Sequence, residues 1–246
     1  LALALSPTES RPAELVIFST GSMSEPMKEI GEDFMHKTGH KLSYVIGTTG
    51  ALQARLRAGE HADAIAISAE GGEALAKEGR FSGAREPFAR SVIAIAVKAG
   101  TPMPDISTPE AFKQTMLKAK SISISDPAQT SISGVYLLSL FEKMGIADEM
   151  KRKTLVKPVG IQVATAIANG EAEIGVTFRS ELMPNKGVTV SETFPEAIQS
   201  PTLYVVGVSS DATDKEAARA FVAYALTAES QAKLKPIGVE PAAHAH

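Results

Sequence analysis

The sequence predicts an α/β fold, built as two doubly wound α/β lobes joined by two hinge strands. Three observations carry the prediction. Short apolar runs rich in Val, Ile and Ala alternate with stretches of helical spacing along the chain. Each strand-like run passes into its helix through a short loop of Gly, Ser and Thr. At 246 residues the chain exceeds the usual single domain, and two lobes account for it without a long structureless loop.

The elements follow in order. ELVIFST (14–20) is an apolar strand, and GSMSEPMKEIGEDFMHKTG follows with Met27, Ile30, Phe34 and Met35 at helical spacing and Gly39 as a stop. KLSYVIG and TTGALQARLRAG repeat the pattern, with Leu52 and Leu56 on one helix face and Gly59 closing it. DAIAIS (63–68) suits a strand buried on both faces and leads into the helix AEGGEALAKEGR. Three successive βα units predict a parallel sheet. ARSVIAIAVKAG is a further strand, the prolines after it mark a surface connection, and STPE opens a helix. SISISDP, TSISGVYLLSLFEKMGI, KTLVKPVG, IQVATAIANGE and AEIGVTFRSE then alternate strand and helix; SPTLYVVGVS is β-rich, and DKEAARAFVAYALTAESQAKLKPIG holds two amphipathic helical segments. The expected crossings lie near 88–93 and 201–206. They make 14–89 with 205–246 one lobe and 90–204 the other, with a ligand cleft between them. Residues 1–13 read as a signal-peptide remnant or disordered arm, because an alternating Leu/Ala run precedes small polar residues.

Composition excludes several classes. Apolar residues at 44% and charged residues at 22% match a globular protein. A net charge of −3 with both signs scattered offers no basic footprint for nucleic acid. Without cysteine there is no disulfide, thiolate metal site or cysteine nucleophile. No stretch approaches the roughly 20 apolar residues of a membrane span. The P-loop, GxGxxG, HExxH and GxSxG signatures are missing, so no cofactor is expected. His36 and His40 read as a polar helix end and His244 and His246 as a tail, so no metal site is expected; Met23, Met27 and Met35 read as core filler.

The informative feature is repeated punctuation at strand ends: STGS at 19–22, GTTG at 47–50 and TSISG at 130–134. In a parallel sheet these loops share the carboxyl edge, where open α/β folds bind ligands. Thr20, Ser22, Thr48, Thr49, Ser133 and Gly134 should therefore converge, and hydroxyls with helix N-terminal amides form a cup for an anion. Helix capping is the competing reading, but it needs one hydroxyl per helix and explains less well why Thr48 and Thr49 stand together. Arg90, before an apolar strand at the lobe crossing, and Arg179, at the end of IGVTF, are candidate carboxylate clamps.

Taken in sequence, LVIFSTGSMSEPMKEIGEDFMHKTGHKL, GTTGALQARLRAGEHADAIAISAE, SDPAQTSISGVYLLSLFEKMGI and ANGEAEIGVTFRSEL resemble the type II periplasmic solute-binding proteins, specifically the molybdate-binding branch, across nearly the whole length. The resemblance implies an anion bound between two hinged lobes, export to the periplasm, a monomer, and a membrane permease of an ABC transporter as partner. It further implies that Ser22 and the Thr48–Thr49 pair stand where the family has serines, Ser133 where a small residue donates its amide, and Phe178 where a tyrosine touches the oxyanion. Phe178 lacks that hydroxyl, and Arg90 replaces a neutral polar residue. These departures favour a small polycarboxylate such as aconitate or citrate over molybdate or tungstate. The same build is used by aconitate isomerase, which makes cofactor-free proton abstraction the alternative to transport. Ser22, Thr49, His61 and Glu70 are the candidate acid–base groups for that chemistry.

Overall fold

The structure is a computed structural model and describes residues 12–191 and 194–242. Most of the arm expected at 1–13, and the tail histidines His244 and His246, lie outside the described residues.

The chain opens with β1 (Glu14–Thr20), α1 (Gly21–Thr38), β2 (Lys41–Gly47), α2 (Thr49–Arg57), β3 (Ala64–Ser68) and α3 (Ala69–Lys77). The expected glycine stop of α1 is present, with Gly39 in the left-handed region at φ 75° and its N–H bonded to the Met35 carbonyl. Two strands follow, β4 (Phe81–Ser91) and β5 (Ile93–Lys98), then α4 (Pro109–Lys118), whose Thr108 cap accepts from the Ala111 N–H. Next come β6 (Ile122–Ser125), α5 (Ile132–Lys143), α6 (Ala147–Lys153), β7 (Thr154–Lys157), α7 (Gly160–Ala168), β8 (Ile174–Phe178), α8 (Arg179–Leu182) and β9 (Val188–Val190). The chain closes with β10 (Thr202–Ser209), α9 (Lys215–Ala225), α10 (Ala228–Ala232) and β11 (Val239–Pro241).

Two sheets organise these elements. The first has the order β11-β4-β10-β3-β1-β2 and the second β7-β6-β8-β5-β9. In each, the βα units pair in parallel, β1 with β2 and β3 in the first and β6 with β7 and β8 in the second. The strands at the crossings pair antiparallel: β10 with β3 and β4, and β5 with β8 and β9. Both sheets are therefore mixed, where βα alternation alone led to the expectation of a parallel sheet. A strand that returns from the other lobe arrives without a crossover helix, and antiparallel pairing is the arrangement open to it.

The sequence reading missed β4, β9, β11, α6 and α8, the last because AEIGVTFRSE was read as one strand. FSGAREPFARS lacks period-2 alternation and carries Gly83 and Pro87, and it is held in the sheet by pairing to β10 with irregular register. The buried apolar set is continuous between the lobes. It runs from Ile17, Met27 and Ile30 beside the first sheet, through Phe88, Phe178 and Tyr204, to Ile95, Ile124 and Phe141 beside the second. At the junction the Phe178 and Tyr204 rings meet edge to face, 6.0 Å apart at 81°.

Candidate functional site

The carboxyl ends of the parallel strands of both sheets face one cleft. β1 delivers the start of α1, β2 that of α2, the segment after β6 that of α5, and the segment after β7 that of α7. The cleft is nearly shut in this structure, with a free volume of about 20 Å³, room for about one water molecule, so a larger ligand enters only if the walls part. Thr20, Ser22, Thr48, Ser131 and Ser133 are all buried hydroxyl residues of its wall.

Capping and ligand-cup readings are both represented. The Thr48 hydroxyl accepts from Ala51 N–H at 3.2 Å and the Ser131 hydroxyl from Gly134 N–H at 3.4 Å, so these two cap α2 and α5. The caps of α1 and α7, Thr20 and Val159, make no side-chain hydrogen bond to their helices. Thr48 also donates to the Gln129 carbonyl, tying the first lobe to the second across the cleft rim.

The decisive residue is Glu181. It sits in α8, just past the end of β8, only 6% exposed, and is the only carboxyl in a lining that, among the described residues, contains no Lys, Arg or His. Its Oε2 accepts from the Thr177 hydroxyl at 2.6 Å. Gly160, at the start of α7, and Gly21, at the start of α1, press so closely on the carboxyl that a methyl at either would overlap it. Glycine at both positions lets one carboxyl lie between helix N-termini of the two lobes. Burial pushes its pKa up to about 7, against the opposing pull of the Thr177 hydroxyl and the backbone of Phe178 and Gly160. Tyr204 of β10 lines the same cleft, and burial raises its phenol far above neutrality, with the Glu181 charge adding to the shift. A phenol therefore stands beside Phe178 even though Phe178 carries none.

Of the residues singled out from sequence, the structure brings Thr20, Ser22, Thr48, Thr49, Ser133 and Phe178 to the cleft, with Gly134 buried directly behind Ser133 in α5. It does not bring four others. Arg90 lies on β4 opposite Leu203 and Glu240, its side chain exposed and outside the cleft lining, because the pleat that buries its neighbours Ala89 and Ser91 turns it to solvent. Arg179 begins α8 and its stem lies against Gly238, again outside the lining. His61 precedes β3 at the amino edge of the sheet, opposite the cleft, with its Nε2 3.1 Å from Asp63 Oδ2. Glu70 is exposed in the first turn of α3. Glu181, Thr177, Gly160 and Tyr204 were missed. The available signal for Glu181 was its place, three residues past a strand that ends at the cleft edge.

Fold and site together define a two-lobed α/β protein with helix N-termini of both lobes around one cleft. The chain belongs to the family of bacterial extracellular solute-binding proteins, whose model matches residues 15–239. It is 32% identical over 234 residues to aconitate isomerase of Pseudomonas sp, covering 92% of this chain and 87% of that protein. It is 24% identical over 200 residues to the molybdate-binding protein ModA of Escherichia coli K12, covering 79% and 77%. The solved periplasmic molybdate-binding protein of Azotobacter vinelandii superimposes with a TM-score of 0.77 at 18% identity, covering 92% of this chain and 98% of that one.

Proposed function

We propose that the protein isomerises a small unsaturated polycarboxylate, aconitate, by cofactor-free proton transfer in the interlobe cleft. The observation that carries this reading is the Glu181 carboxyl, buried in the cleft wall with a pKa near neutrality, the range in which a general base works best. Ionised Glu181 takes a proton from the substrate methylene. The C–H pair becomes the new double bond to the central carbon, and the old π pair moves onto the far carbon and its carboxylate. That carbon then receives a proton, so the double bond has moved one place with no net oxidation. The developing charge on the substrate carboxylate is met by the N–H groups at the starts of α1, α2 and α5. The similarity to the Pseudomonas isomerase, above that to the molybdate binders, supports the substrate class.

A second reading is favoured by the neutrality of the lining. Hydroxyls and amides without a cation suit capture of an oxyanion such as molybdate, delivered to a membrane permease of an ABC transporter from the periplasm.

The test is proton NMR of trans-aconitate with the protein in deuterated buffer, alongside calorimetric titration of molybdate. Appearance of cis-aconitate carrying deuterium at carbon, and a loss of about 10²-fold or more in rate for Glu181→Gln with binding retained, support the isomerase. Tight binding of molybdate with no conversion of aconitate refutes it and leaves the receptor reading.

A further inference from the structure

Glu181 does not end its hydrogen bonding at Thr177. The Thr177 hydroxyl lies 3.1 Å from Ser133 Oγ, Ser133 Oγ lies 2.8 Å from Ser125 Oγ, and Ser131 Oγ contacts Ser125 Oγ and lies 3.4 Å from Ser133 Oγ, so the path runs from Ser133 to Ser131 directly or through Ser125. All four hydroxyl residues are buried, Thr177 at 0% and Ser125 at 1% exposure. The two ends of this chain face the same cleft, Glu181 through α8 and Ser131 with Ser133 through the start of α5.

Each hydroxyl has one hydrogen, so the chain has a direction. When Glu181 is ionised, Thr177 donates to it, and the hydrogens of Ser133, Ser125 and Ser131 all follow toward the carboxylate. When Glu181 holds a proton and donates it to Thr177, every hydroxyl turns round and the last one offers its hydrogen to the cleft. One hop per hydroxyl thus carries a proton from the Glu181 wall to the α5 wall without moving a heavy atom.

Resting on the reading of Glu181 as the proton carrier, we propose that Thr177, Ser133, Ser125 and Ser131 form the path by which the proton leaves Glu181 and is replaced at the far carbon of the substrate. Glu181 takes a proton from the methylene carbon, a hydroxyl of the chain gives one to the far carbon, and transfer along the chain restores both. The proton delivered to product is then one that exchanges with solvent protons and not the one removed. Of the other groups facing Glu181, Gly160 from α7 and Gly21 from α1 have no side chain, and the Tyr204 phenol of β10 is hydrogen-bonded to Ser22 and not to the carboxyl. A purely structural role, in which the hydroxyls only satisfy one another in the interior, predicts no isotopic consequence.

The experiment follows the fate of the transferred hydrogen. Protein equilibrated in D₂O is mixed with trans-aconitate, and early product is analysed for deuterium in the new methylene by mass spectrometry and NMR. Wild-type protein is expected to give product deuterated at that carbon from the first turnovers. Thr177→Val keeps the shape and removes the hydroxyl, and its product should lose most of that deuterium because the abstracted proton has no exit and returns; Thr177→Ser should restore the wild-type pattern. A folded Thr177→Val protein that binds aconitate but has lost turnover, with turnover regained in Thr177→Ser, supports the path equally. Should Thr177→Val fail to fold, Ser133→Ala interrupts the same chain and is read in the same way. An active Thr177→Val or Ser133→Ala protein with wild-type deuterium content overturns the relay and leaves the isomerase reading standing. A wild-type protein that does not convert aconitate overturns that reading, and the relay with it.

Discussion

Glu181 ties folding to pH in a direction opposite to that of most carboxylates. Its pKa is about 7 in the fold against 4.5 for an ordinary glutamate, so between those values the unfolded chain releases a proton that the folded chain keeps. Stability is therefore fully present below about pH 4.5 and falls as pH rises toward 7, by about 3 kcal/mol over the whole window. Glu181→Gln removes this dependence. Relative to wild type, its melting temperature should rise by several degrees between pH 5 and pH 8. A constant difference between the two proteins at both pH values would refute the assignment. The cleft hydroxyls were legible in sequence because Ser and Thr at strand ends are rare enough to notice in three loops. Glu181 was not, since it ends the run AEIGVTFRSE that reads as a strand, and what sets it apart, burial between two glycines at the start of a short helix, is a tertiary fact. Arg90 misled for the converse reason: its place at the lobe crossing was read correctly, but the strand pleat that turns it outward depends on pairing to β10 and β11.

The starts of α1 and α7 are shaped around one carboxyl, and this yields a prediction for the elements. Gly160→Ala would place a methyl on the Glu181 carboxyl and should destabilise the protein by about 1–3 kcal/mol, the scale of overpacking. Combined with Glu181→Ala, which clears the space, the loss should shrink, giving a coupling above about 0.5 kcal/mol in a double-mutant cycle of thermal melts. Additive effects would show that the two residues do not share the site. The long βα elements were readable because apolar spacing at 3.6 or 2 residues marks them directly. The short strands β9 and β11 were not, because three residues hold too little pattern. β4 was hidden because its place is dictated by its partner β10, with Gly83 and Pro87 in its own sequence arguing against a strand.

For the whole molecule, the alternation of βα units was enough to foresee two lobes, while the mixed character of both sheets follows from chain crossings that no local pattern records. The lobes are joined by a continuous apolar core and by the Thr48–Gln129 hydrogen bond at the cleft rim, so the cleft wall is built from both lobes. The cleft lining contains no Lys, Arg or His among the described residues, and the chain as a whole carries a net charge of −3. An anion approaching such a surface gains little from long-range attraction, and its capture depends on short-range donors that mobile ions reach poorly once the cleft has closed. Affinity should therefore change less than about twofold between 20 and 500 mM NaCl, and association should not slow steeply with salt, as read by calorimetry and stopped-flow. A steep loss of affinity would reveal a cation at the ligand and restore a role for an arginine. On the proposed function, selection among anions would rest on dehydration and shape, a mode that works equally well in dilute and in saline surroundings.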